Sequence, residues 1–100
     1  MDERLLELRQ TVLETGEQYQ HAQAAYANAT NPEQITEEMK QTARDCISAG
    51  TQYGAALMEL REYVYDVTVQ GVENDEAERV QKVIDLLEKE TQGYERVLIS

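Results

Sequence analysis

Apolar residues recur at intervals of three and four along nearly the whole chain, and two interruptions divide them into three runs. Leu5, Leu8, Val12, Tyr19, Ala22, Tyr26 and Ala29 follow a heptad seam, with Thr15 in the missing position. Leu6 and Leu13 widen that seam at its N-terminal end. Asp2 suits an N-cap, and Glu3 suits the positive end of the helix dipole. The spacing predicts a helix over 3–29. Its seam begins as leucine and valine and becomes tyrosine and alanine, so its second half is thinner and more polar.

Ala29-Thr30-Asn31-Pro32 ends this run, because the residue before a proline is pushed away from helical angles. Asn31 is expected to cap the next helix, with Pro32 in its first position and Gln34 as the capping-box partner. The second seam carries Ile35, Met39, Thr42, Cys46, Ala49, Tyr53, Ala56, Leu60, Tyr63 and Val67. Ala43, Gly50, Leu57 and Val64 lie beside it. The pattern predicts one long helix over 32–70, stopped by Gly71. Two features complicate it. Gly50 and Gly54, four apart among Ala49, Ala55 and Ala56, either let another helix approach closely or mark a bend or break. Residues 63–72 alternate like a strand, but the only partner strand on offer is the tail Val97-Leu98-Ile99. A two-stranded pairing is marginal alone, so a helix is expected there too.

The third run, Ala77, Val80, Ile84, Leu87, Thr91, Tyr94 and Leu98, follows an acidic first turn of Asp75, Glu76 and Glu78. It predicts a helix over 75–98, with Gly93 a point where it could end early. The chain therefore reads as a single all-α domain over 1–100, an antiparallel bundle of three helices with a long central one. It becomes four helices if the central one breaks near Gly50–Gly54. With the central helix near 60 Å and the outer ones about 40 Å, all three would overlap only around Ala49 to Leu60. Each end would be two helices thick, with Tyr26, Ile35 and Met39 open at one and Tyr63, Val67 and Val80 at the other. A monomer rarely exposes that much apolar surface, so a homodimer is expected.

Charge narrows the partners. The formal net charge is -11, with no Lys or Arg between Arg9 and Lys40. That argues against direct binding to nucleic acid or to a membrane, and is compatible with a basic protein partner. Cys46 is alone, no apolar run approaches eighteen residues, and the start does not resemble a signal peptide, so a cytoplasmic protein, or one exported without a cleaved signal, is expected.

The chemistry of catalysis is thin. His21 is the sole histidine, and with Glu17 one turn before it falls short of the three or four ligands a stable metal site needs. There is no Glu-x-x-His unit and no phosphate-cradling glycine loop. Cys46 on the inner seam reads as a small buried apolar residue. No catalytic residue, metal or cofactor is expected. The residues point instead to a non-enzymatic protein-protein interaction protein, an adaptor, an assembly or secretion chaperone, or an inhibitor, that presents apolar helical grooves. Tyr19, Tyr26, Ile35, Met39, Tyr63 and Val67 are the expected partner-binding positions, since tyrosine joins apolar area to a hydroxyl. The alternative is an acidic decoy that mimics nucleic acid against a basic protein, with Glu33, Glu37 and Glu38 as contact carboxylates.

Overall fold

A computed structural model describes residues 2–67 and 75–100, with every side chain among them except those of Asp66 and Val67. Three helices pack against each other, α1 (Glu3–Ala29), α2 (Glu37–Val67) and α3 (Asp75–Leu98), and the described residues contain no strand. The alternating stretch is helical as far as Val67. The remainder of that stretch and the expected stop at Gly71 lie outside the described residues.

Asp2 caps α1 as its side chain accepts the Leu5 amide at 3.1 Å, satisfying one of the amides that the first turn leaves without a helical partner. The helix ends at Thr30, which takes extended angles just before Asn31-Pro32. The start of α2 differs from the sequence expectation. Asn31 does not cap it. Its side-chain oxygen instead accepts the Glu33 amide at 2.9 Å, closing a local turn that competes with a helix. The cap is Thr36, whose hydroxyl accepts the Met39 amide at 3.1 Å. Helix α2 therefore begins five residues later than Pro32, and the connection between α1 and α2 is seven residues, 30–36. At its start the Asn31 amide reaches the Met39 sulfur of α2 at 3.2 Å.

Helix α2 runs without a break through Gly50 and Gly54, so the described residues form three helices and not four. The reason is visible at each glycine. A β-carbon at Gly50 would lie 3.2 Å from the Tyr19 ring and 3.4 Å from Leu87, and one at Gly54 would lie 3.3 Å from Leu87. The missing side chains are replaced by knobs from both neighbours, which supports the helix where its own propensity is weakest. Helix α3 likewise passes through Gly93 to Leu98.

The expected overlap also needs correction. Tyr63 meets Asp2, Tyr53 lies over Gly16, Gly50 takes Tyr19, and Met39 meets Asn31. Helix α1 thus flanks nearly all of α2, not its N-terminal part alone. Helix α3 pairs Gln81 with Arg61, Leu87 with Gly50 and Gly54, and Tyr94 with Cys46. Three helices therefore meet well beyond Ala49–Leu60, and Val64, Ala77 and Val80 are buried with Leu57, Leu60, Ile84 and Leu87 in one core. Val80, expected to stand open at that end, is buried.

Candidate functional site

Four polar side chains gather inside the apolar middle of the bundle. Tyr19 on α1 is 3 % exposed, and its hydroxyl donates to Glu90 on α3 at 3.3 Å. Gln23, one turn along α1, donates from its amide to Glu90 at 3.0 Å and to the Tyr94 hydroxyl at 3.2 Å. Tyr94 also lies beside Tyr19 and the thiol of Cys46, which is fully buried. Burial raises the Tyr19, Tyr53, Tyr94 and Cys46 pKa values above their ordinary range, because a dry interior disfavours the charged form. Rings complete the cluster. Tyr19 and Tyr53 lie tilted at 5.9 Å between centroids, and Tyr26 meets Tyr94 edge-on at 5.1 Å. Every buried side-chain nitrogen or oxygen among the described residues has a partner. The cluster is thus a satisfied structural network, in which Cys46 stays a neutral thiol.

Between α2 and α3 lies an open groove of about 590 Å³. Its floor exists because Gly50 and Gly54 carry no side chain and Leu87 reaches across them. Thr51, Ala55 and Met58 form the α2 wall, while Ile84, Thr91 and Gln92 line the α3 side. Glu88 and Glu95 stand on the α3 rim, and no Lys or Arg lines the groove. Met58 is 42 % exposed, a large apolar side chain held at the groove's edge.

The expected partner-binding residues scatter. Tyr19 and Met39 are enclosed within the monomer, so neither is open to a partner. Tyr26 and Tyr63 are half-buried, and Ile35 is exposed on the connection. The side chain of Val67 lies outside the described residues. Tyr63 donates to both carboxylate oxygens of Asp2, at 2.9 and 2.7 Å, and this bond holds the Asp2 carboxyl below its usual pKa while raising that of the phenol. Glu33, Glu37 and Glu38 are all exposed around the start of α2. The groove walls were missed from sequence because Ile84, Leu87 and Thr91 share one seam, and a seam does not reveal which of its residues face open space. The usable signal was the glycine pair beside exposed Ala55 and Met58.

His21 and Glu17 are both exposed, and no group of three or more His, Cys, Asp or Glu able to hold a metal occurs among the described residues. None of the helices among the described residues is long and apolar enough to cross a membrane. No family model, curated protein or solved structure matches the chain.

Proposed function

We propose that this is a non-enzymatic protein-protein interaction protein, an adaptor, an assembly or secretion chaperone, or an inhibitor, built as an antiparallel bundle and acting in the cytoplasm. The observation that carries this reading is the open groove over Gly50 and Gly54, walled by Thr51, Ala55, Met58 and Ile84. A concave, mostly apolar strip between two helices is how helix-in-groove recognition begins. Leu6, Leu13 and Leu86 are also exposed and lie outside that strip, and a homodimer would cover them.

One observation favours a second reading, an acidic decoy. Glu33, Glu37 and Glu38 are exposed in a stretch without basic residues. The two readings separate on salt and on side chains, since exposed charge is screened within about 10 Å at 0.1 M salt. The experiment is affinity capture from the native source, followed by washing in roughly 0.5 M salt. Capture of a specific protein is expected to survive that wash and the triple change Glu33→Gln, Glu37→Gln, Glu38→Gln, and to fail on Met58→Lys. Loss of the partner in high salt and in the triple variant, with Met58→Lys silent, would overturn groove binding in favour of the decoy.

A further inference from the structure

We infer that the groove between α2 and α3 takes a short amphipathic helix of a basic partner, held by an apolar stripe and by two cations seven residues apart. This rests on the groove-binding reading and adds the occupant.

The length of the occupant follows from the walls. The groove runs from Gly50 to Met58 on α2 and from Ile84 to Glu95 on α3. At about 1.5 Å per residue those stretches measure roughly 12 and 16 Å, the length of about two to three helical turns. Over Gly50 and Gly54 the floor is backbone and the Leu87 methyls, so it admits a branched or flexible apolar side chain from above. The sides differ. The α2 wall is small or apolar, with Thr51, Ala55 and Met58. The α3 rim carries Glu88 and Glu95, which stand two turns apart on one flank of their helix. Among the described residues neither carboxylate takes part in an ion pair. A helix lying along the groove meets both when it carries Lys or Arg at positions seven apart, on the edge of its apolar stripe.

Charge selects against a second copy in this place. A symmetric dimer through the groove would bring two acidic α3 rims together, each on a chain of net charge -11. Like charges facing across an interface suppress a partner, and opposite charges fix its register and speed its arrival. The rim therefore contributes orientation and selectivity, while apolar contact with the floor supplies most of the affinity.

The probes are two 14-residue helical peptides with the same Leu/Met stripe, one with Lys and one with Glu at the two flank positions. Binding is read by fluorescence anisotropy on the full chain, and the contact surface by amide shifts in NMR. The Lys peptide is expected to bind, with shifts at Thr51, Ala55, Thr91 and Gln92. Ala55→Trp, which fills the groove from an exposed position, should abolish binding while leaving the helical signal intact. The double change Glu88→Lys, Glu95→Lys should weaken the Lys peptide by roughly tenfold and let the Glu peptide bind in its place. Equal binding of both peptides to the wild-type chain, or binding indifferent to Ala55→Trp, would overturn the inference. So would sedimentation showing a dimer that Ala55→Trp dissociates, because the occupant would then be a second copy. A captured native partner that ignores the groove variants would defeat this inference and leave the interaction role standing. Absence of any specific capture would defeat the role itself.

Discussion

The two seams of the central helix use glycine in the same way and end differently. Against α1, Tyr53 covers Gly16 and Tyr19 covers Gly50, both with ring carbons at 3.2 Å from where a β-carbon would stand. Against α3, Leu87 reaches Gly50 and Gly54 at 3.4 and 3.3 Å. A tyrosine ring is broad enough to seal the space that a glycine leaves, and the Tyr19 hydroxyl is then anchored to Glu90 across the bundle. A leucine fills only the space its two methyls touch. One seam is therefore closed core and the other an open groove. Helix packing alone does not distinguish an interface from a binding site. The size of the knob set into each glycine hole does.

Removing the larger knob should do the most damage. Tyr19→Ala takes an enclosed ring from the α1 seam and leaves the half-buried Glu90 carboxylate with the Gln23 amide as its remaining bond across the bundle. A loss of about 3–5 kcal/mol in urea unfolding is expected, as for other buried aromatic truncations. Tyr19→Phe keeps the ring and gives up one hydrogen bond, so a loss of about 1 kcal/mol is expected. Similar losses for the two variants would show that the hydroxyl, not the ring, closes this seam.

The periodic signals in the sequence carried most of the fold. Helices α1 and α3 end where the 3–4 spacing ends, because each has an acidic first turn and one dominant face. The start of α2 is not legible in the sequence because Asn31 has two local uses, helix cap and turn, and local spacing does not choose between them. Met39 and Val80, expected at open ends of the bundle, are buried for a related reason. Spacing fixes which face is apolar but not how far one helix slides along another, and that slide is set by Tyr63 on Asp2 and Leu87 on the glycines. The interior cluster was half legible. Tyr19, Tyr94 and Cys46 lay on inner faces, yet nothing in a helical period says that Gln23 and Glu90 would meet there.

The glycines sharpen the comparison at smaller cost. An alanine favours a helix over a glycine by up to about 1 kcal/mol, so each substitution weighs that gain against its neighbours. At Gly93 nothing lies within 4 Å, and the full gain is expected. At Gly54 the only neighbour is a Leu87 methyl, the free end of a flexible side chain, so most of the gain should remain. At Gly50 the new methyl meets the Tyr19 ring at 3.2 Å as well as a Leu87 methyl at 3.4 Å, and the enclosed ring has less room to give way than the Leu87 end. Gly50→Ala should be neutral or destabilising. Melting temperatures ranked Gly93→Ala, Gly54→Ala, Gly50→Ala from highest to lowest would agree, and a Gly50→Ala protein as stable as the Gly93 variant would mean that the two seams are not wedged against one residue.

Acid should part the two seams with the smallest effect of all. Two carboxylates tie α1 to the other helices at the same end. Asp2 accepts from Tyr63 on α2 and from the Leu5 amide, and Glu76 on α3 takes two bonds from Arg9, at 2.8 and 2.6 Å. Those bonds hold both folded pKa values below their ordinary 3.8 and 4.5. A carboxylate with a lowered folded pKa contributes stability that is complete above its unfolded value and is lost as pH falls through the folded one. Stability should therefore stay level from neutral pH down to about 5 and decline below about 4. The groove walls depend on neither carboxylate, so the first amides to lose hydrogen-exchange protection near pH 3 should belong to α1, with α2 and α3 still paired through Leu87. Asp2→Asn should blunt the decline while lowering stability slightly at pH 7, since the amide still accepts from Tyr63 but carries no charge to lose. If α3 lost protection before α1 at low pH, the weaker seam would be the one with the groove, and the closed aromatic seam would be what keeps the molecule folded.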